Sequence, residues 1–377
     1  MEFSSHDIAC MNEALRLAEL ARGDVEPNPV VGAVLARDGQ IIACGYHHKF
    51  GSPHAEIEAL NTAGEAARGA TLYVTLEPCS HFGKTPPCTL AIERAGVRRV
   101  VVAMVDPFPA VNGSGLEYLR HAGIAVDVGC QVAHARAVNA PFIKFTRTGR
   151  PFVIAKWAQS LDGAVATAAG ESQWISGPEA RERVQVLRGR MDAIMVGIGT
   201  ALADNPQLTA RPRDSQAVRR VAKRVVVDTQ ARLPVESALV KSAREFPLLL
   251  AHAPATDDPA RERLSRLRAA GAVLLEIAAD SAGQVALNRL LAALGRQGIQ
   301  NLLVEGGPKL LGSLMAVGEV DECQVYLAPM IMADPAARHA LHGPPLTHLA
   351  DAHRWRWVCD EPVGSDRLLV LRKPEAR

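Results

Sequence analysis

One imidazole and two thiols, spaced so that they can close on a single ion, constrain this chain more than any other feature. His54-Ala55-Glu56 is followed by Pro78-Cys79 and then by Pro87-Cys88. Zinc takes four ligands, and three from the protein leave one position for a water whose proton becomes easier to remove. The turn-like Gly51-Ser52-Pro53 predicts that His54 opens a helix. Glu56 then projects about 200° round the axis from His54, so it is no fourth ligand. From the first turn it can still lean over the open side and carry a proton from water to a leaving amine. Singly, His54 and Glu56 read as solvated helix residues and Cys79 and Cys88 as buried thiols or half of a closed structural site. Together, with the strand-like residues 70–76 running into Cys79, they read as a catalytic metal site. His81 is a rival ligand, but two residues from Cys79 a compact loop rarely turns both side chains to one ion, and it reads as pocket lining.

Zinc deaminases combine H-x-E with P-C-x-x-C and use the Glu as a non-ligand acid/base. Here eight residues, not two, separate the cysteines. The string Glu77-Pro78-Cys79-Ser80-His81-Phe82-Gly83-Lys84-Thr85-Pro86-Pro87-Cys88 resembles the deaminase half of the bifunctional deaminase/reductase family of riboflavin biosynthesis. So does Pro27-Asn28-Pro29-Val30-Val31-Gly32.

The 377 residues suggest two or three domains, and two are expected. A 48% hydrophobic and 22% charged composition is that of a soluble globular protein, and no apolar run approaches the roughly 18 residues of a membrane span. Residues 1–7 lack a basic region followed by an apolar stretch, so no secretory signal and a cytoplasmic location are expected. Seven cysteines without framework spacing read as reduced thiols apart from the two metal ligands. A net charge of +2 and 4% aromatics count against a nucleic-acid-editing deaminase, although a local basic patch can hide inside a neutral total.

Apolar spacing predicts a first helix over residues 7–20, and Asp38-Gly39 between residues 30–36 and 41–46 predicts a hairpin. Next come a helix from His54, a strand near 72–76, a helix with Pro87 at its first position, and a strand over 99–104. This order makes a mixed sheet with helices on both faces, with the metal at helix N-termini that favour thiolate. The pattern breaks around residues 146–151, and 152–157 open a new strand. Residues 211–216 and 254–259 read as exposed loops.

In the second half, residues 191–196 run into Gly197-Ile198-Gly199-Thr200, and 301–304 run into Glu305-Gly306-Gly307-Pro308. Glycine turns after strands bring backbone amides and a helix N-terminus to a phosphate. The sixth position of the first turn is Leu202, so the Rossmann fingerprint is not met. Ala155-Lys156-Trp157-Ala158-Gln159-Ser160-Leu161-Asp162-Gly163, Glu171-Ser172-Gln173-Trp174-Ile175-Ser176 and residues 203–211 are similar to the reductase half of the same family.

The resemblance implies an α/β chain: a cytidine-deaminase-like three-layer α/β/α domain with zinc over residues 1–148, and a dihydrofolate-reductase-like α/β domain that binds NADPH over 149–377. It implies Glu56 as the catalytic residue and His54, Cys79 and Cys88 as the zinc ligands. Asn28, His47 and Lys84 would contact a phosphorylated pyrimidine, with His48 leaving the register at His47 open. In the second domain it puts Ala158, Trp174, Thr200, Asp204 and the turn Gly307, Pro308, Lys309 and Leu310 beside the nicotinamide cofactor. Ser172, Arg188, Leu208, Arg211 and Glu305 would face the substrate; two arginines suit a ribose phosphate. Ser176-Gly177-Pro178-Glu179 reads as a capping box whose helix reaches Arg188, which is a helix-surface residue on the plainer reading. Trp174 as core filling and Lys156 as a strand residue reaching solvent are the plainer readings there. No nucleic acid, no membrane and a homo-oligomer (dimer or tetramer) are expected. Two rivals stand beside this reading: a nucleic-acid deaminase with an accessory domain, and a non-enzymatic binding module with closed structural zinc.

Overall fold

The computed structural model describes residues 2–82, 86–108 and 111–374, and the chain divides into two compact units, Met1–Gly149 and Arg150–Arg377.

The first unit runs α1 (Ser5–Leu20), β1 (Gly32–Arg37), β2 (Gln40–Tyr46), α2 (Ala55–Ala63), β3 (Thr71–Val74), α3 (Cys88–Arg94), β4 (Arg99–Val102), α4 (Ser114–His121), β5 (Ala125–Val128), α5 (Val132–Val138) and α6 (Ala140–Thr148). The sheet order is β2-β1-β3-β4-β5, antiparallel around β1 and parallel from β3 to β5. Successive strand residues point to opposite faces, so the sheet feeds two cores. Val34, Tyr73 and Val101 pack with Met11, Leu15 and Ala18 of α1 on one side. Leu35, Leu72, Val100 and Val102 pack with Ala55, Ala59, Ile92 and Leu119 of α2, α3 and α4 on the other. Pro87 caps α3 and is not its first helical residue, because Cys88 begins the helix.

One polar cluster ties α1 to the sheet. Ser4 and Asp7 form a reciprocal capping box at the start of α1. The Asp7 carboxylate also accepts Arg99 Nη1 at 2.7 Å and the Tyr73 hydroxyl at 2.8 Å, while Arg99 Nε reaches Asp127 at 2.8 Å.

The second unit runs β6 (Phe152–Gln159), β7 (Ala164–Ala166), α7 (Pro178–Arg188), β8 (Ala193–Gly197), α8 (Ile198–Asp204), β9 (Lys223–Val227), α9 (Ala238–Lys241), β10 (Leu248–His252), α10 (Asp258–Ala269), β11 (Val273–Glu276), α11 (Leu287–Arg296), β12 (Asn301–Val304), α12 (Pro308–Ala316), β13 (Glu322–Leu327), β14 (Arg338–His339), β15 (Arg356–Val363) and β16 (Asp366–Arg372). Nine strands lie in the order β11-β10-β9-β8-β12-β6-β13-β16-β15, parallel except where β16 joins β13 and β15. The chain builds outward from β8 to β11, then returns to insert β12 between β8 and β6. Such a reversal opens a crevice at the carboxyl ends of the strands. The cap of α7 is Gly177 without a side-chain hydrogen bond, so the capping box expected at Ser176 is absent; the Gly177 amide bonds Asp366 instead. Residues 258–259, expected in a loop, already belong to α10, capped by Asp257.

Burial pushes the Asp7 carboxyl up, but hydrogen bonds from Arg99, Ser4 and Tyr73 outweigh it and hold the group well below the ordinary carboxylate range. The native state therefore binds that proton more weakly than the unfolded chain. Its stabilisation is present above about pH 4 and is lost as the pH falls toward the native value. We expect Asp7→Asn to lose roughly 1–3 kcal/mol at pH 7. In denaturant titrations, the gap to the unsubstituted protein should narrow as the pH drops below about 4.

Candidate functional site

In the first unit, the sheet order brings three separate segments together. His54 caps α2, Cys88 is the first residue of α3, and Cys79 lies in the loop after β3. His54 Nδ1 is 3.2 Å from Cys88 Sγ and 3.6 Å from Cys79 Sγ, and the Cys88 amide donates to Cys79 Sγ at 3.3 Å. The three ligand atoms lie within 4.8 Å of one another. One imidazole nitrogen and two sulfurs converging from two helix starts and a loop form a donor set that fits zinc and leaves a fourth position.

The electrostatics support that fit. Hydrogen bonds from Cys88 and His54 pull the Cys79 thiol down to about 4 against the effect of burial. Cys88, beside the thiolate so formed, is pushed up. One negative charge forms readily here, and the second waits for a cation. The hydrogen bond to Cys79 raises the His54 pKa.

Glu56 is 3% exposed, in the first turn of α2. Burial pushes its carboxyl up to about 7, with His54 working the other way, and its side chain also bonds Cys88. His81 is exposed and stands outside the ligand cluster. The choice between His47 and His48 resolves on packing. His47 is 3% exposed, its ring 5.4 Å from that of His54, whereas exposed His48 lies over Tyr46. His47 Nδ1 donates to the Pro53 carbonyl at 3.0 Å, which leaves Nε2 to accept the Asn28 amide at 3.3 Å. That pattern belongs to a neutral ring, and burial lowers the His47 pKa in the same direction. Lys84 lies outside the described residues.

In the second unit a cavity of about 1510 Å³ opens at the carboxyl ends of β6, β8, β9 and β12. Ala158, Ser172, Trp174, Thr200 and Asp204 line it, as do Gly307, Pro308, Lys309 and Leu310. Gly306 and Gly307 carry φ of 117° and 85°, a left-handed backbone that favours glycine, and α12 follows directly. A Cβ on either would sit about 3.5 Å from Thr200 Oγ1, across the turn after β8. This narrow backbone cradle at a helix N-terminus suits the phosphates of a dinucleotide. Trp174 is 66% exposed, with the Arg181 guanidinium 4.5 Å from its ring centre, so it is not core filling.

Arg188 is no helix-surface residue. Its Nε and Nη2 each reach a different oxygen of Glu305 at 2.6 Å, and Nη1 reaches the Thr209 carbonyl at 3.3 Å. Burial pushes the Glu305 carboxyl up, but Arg188 outweighs it and keeps the group ionised. Lys156 does not reach out to solvent. It lines the cavity with Nζ 5.5 Å from the Tyr326 ring centre, and burial lowers its pKa against the pull of Glu305. Its signal in the sequence was a lone cation inside an apolar strand. Sequence reasoning also missed Arg213, Thr229, Gln230 and Arg232 on the cavity wall. Leu208 and Arg211 do not line the cavity: Leu208 is buried at φ 54°, and exposed Arg211 bonds Gln207 and Gln185.

Comparison with known proteins matches both units. The family described as the cytidine and deoxycytidylate deaminase zinc-binding region matches residues 4–104, and the RibD C-terminal domain matches residues 151–361. The riboflavin biosynthesis protein RibD of Aquifex aeolicus is 43% identical over 326 residues, covering 86% of this chain and 87% of its own. That of Escherichia coli is 42% identical over 370 residues, covering 96% and 98%. The solved Acinetobacter baumannii RibD has a TM-score of 0.83 at 36% identity, with 98% and 99% of the two chains covered. The Thermotoga maritima diaminohydroxyphosphoribosylaminopyrimidine deaminase/5-amino-6-(5-phosphoribosylamino)uracil reductase has a TM-score of 0.81 at 32% identity, again over 98% and 99%. The first unit has the cytidine-deaminase-like fold and the second the dihydrofolate-reductase-like fold that the sequence motifs implied. With a zinc-type donor set in one unit, a glycine-cradled cavity in the other and relatives alike over nearly the whole length, the chain belongs to the RibD family of riboflavin biosynthesis.

Proposed function

We propose that residues 1–148 hydrolytically deaminate 2,5-diamino-6-ribosylamino-4(3H)-pyrimidinone 5′-phosphate, and that residues 149–377 then reduce the ribosyl side chain of the product to ribityl with NADPH. The observation that carries this reading is the convergence of His54, Cys79 and Cys88 within 4.8 Å with buried Glu56 against them.

A zinc ion held by His54, Cys79 and Cys88 would supply Lewis acidity that makes a water proton easier to remove. Glu56 takes that proton on a carboxylate oxygen and returns it to the ring amine, which leaves as ammonia while the water oxygen stays on the ring carbon. Asn28 and His47 contact the pyrimidine or its ribose phosphate, and Lys84 offers a point charge to the phosphate.

In the second unit bound NADPH would supply hydride chemistry for the ring-opened sugar. Ala158, Trp174, Thr200, Asp204 and the turn from Gly307 to Leu310, which line the cavity, would hold the cofactor. Ser172, Arg188 and Glu305 face the substrate, whereas Leu208 and Arg211 are assigned to it by motif alone. The cavity wall carries more arginine and lysine than aspartate and glutamate, which favours an anionic substrate. No helix is long and apolar enough to cross a membrane among the described residues. The free cysteines suit a reducing compartment, and we assign the enzyme to the cytoplasm as a symmetric oligomer.

The decisive experiment supplies the diaminopyrimidinone phosphate with NADPH and follows ammonia and absorbance together. Glu56→Gln should lower ammonia release by a factor of roughly 10²–10⁴ while NADPH oxidation on pre-deaminated substrate continues unchanged. Chelation of the metal should give the same split, and loss of both activities together would defeat the two-site reading. Arg188→Lys keeps the charge and loses the two-pronged contact with Glu305. It should raise the reductase KM for the pyrimidine by about tenfold, the loss of roughly one charge-assisted hydrogen bond, and leave the deaminase KM unmoved.

A further inference from the structure

We propose that Glu77 is a positioning residue that sets where Cys79 stands in the metal site, an inference that rests on reading His54, Cys79 and Cys88 as zinc ligands. Glu77 is 4% exposed, yet no cationic side chain reaches its carboxylate among the described residues. It accepts backbone amides instead: Asp106 at 3.1 Å, Gly113 at 3.0 and 2.9 Å, and Gly115 at 2.9 Å. These donors come from two segments, the stretch after β4 and the start of α4. The amide of Glu77 itself donates to the Met104 carbonyl at 3.0 Å.

Glu77 stands two residues before Cys79, and the far side of that cysteine is fastened to the same helix. Ser80 Oγ meets Ser114 Oγ at 2.7 Å, and Ser114 Oγ donates to the Val111 carbonyl at 2.6 Å. The contact leaves no slack: a Cβ at Gly115 would lie 2.1 Å from the Pro78 carbonyl oxygen. The segment carrying Cys79 is thus clamped on both flanks to α4, while Cys79 itself accepts from the amides of Thr89 and Cys88. The role of the Glu77 carboxylate here is to gather the amides of Asp106, Gly113 and Gly115. Groups that orient a ligand in this way typically account for 10–100-fold in metal affinity.

The test uses the full chain with Glu77→Gln, Glu77→Asp and Gly115→Ala. Zinc content is measured by elemental analysis and zinc release by transfer to a chromophoric chelator, and reductase turnover of the same preparations reports on the second unit. Gln is isosteric but turns an NH2 toward amide donors, so Glu77→Gln should release zinc about 10–100 times faster. Its deaminase kcat should fall in step and recover in excess zinc, with reductase turnover unchanged. Gly115→Ala, which disturbs the clamp from the other side, should reproduce the effect, and Glu77→Asp should fall between. Should Glu77→Gln fail to fold, those two variants carry the comparison. Release rates equal to that of the unsubstituted protein, even with a lowered Tm, would reduce Glu77 to a purely stabilising role and overturn the proposal. Unsubstituted protein without zinc would instead overturn the reading of the site itself.

Discussion

One imidazole and two thiols from three separate segments meet at one point, and the first unit is arranged around that requirement. His54 and Cys88 are 34 residues apart, yet their donor atoms lie 3.2 Å from each other. The meeting depends on α2 and α3 packing on the same face of the sheet through Ala55, Ala59 and Ile92, so that both helices start at the same edge. Had the apolar alternation in β1 or β3 slipped by one residue, those helices would face the wrong side and the ligands could not converge. The metal site is a consequence of strand register as much as of ligand identity.

The second unit answers a different demand. A dinucleotide and a sugar phosphate need a long cavity lined by backbone amides and a modest positive charge, and a parallel sheet with one reversal of strand order supplies it. Insertion of β12 between β8 and β6 places the turns at Gly197 and Gly306 side by side, where neither strand alone would make a cavity. The same insertion lets Glu305 at the end of β12 meet Arg188 at the end of α7, which fixes the carboxylate in the wall.

Much of this was legible locally. The hairpin at Asp38-Gly39, the helix opened by His54 and the strands running into glycine turns all follow from short-range turn chemistry and apolar periodicity, and the structure has them. The metal ligands were legible because thiolate and imidazole at that spacing serve few other ends. What could not be read depends on partners far along the chain. Arg188 and Glu305 are 117 residues apart, so their pairing lay outside any sequence window. Ser176 lost the α7 cap to Gly177 because the amide there found Asp366, 189 residues away. His47 rather than His48 faces His54 because the chain leaving β2 turns one ring under Pro53 and lets the other stack on Tyr46.

The buried ionisable groups of this chain differ chiefly in the partner each one meets. Asp7 and Glu305 are buried carboxylates, and each lies against a guanidinium that keeps it charged. Glu56 is equally buried without a guanidinium, and burial is the largest of the effects that bring its carboxyl up to about 7. Lys156 follows the same logic with the sign reversed: burial lowers its pKa, and Glu305, the nearby carboxylate that would restore it, is already spent on Arg188. Desolvation thus moves the Glu56 carboxyl up and the Lys156 ammonium down. For these carboxylates the partner, more than the depth of burial, decides how firmly a proton is excluded: a guanidinium stands against Asp7 and Glu305, and none stands against Glu56.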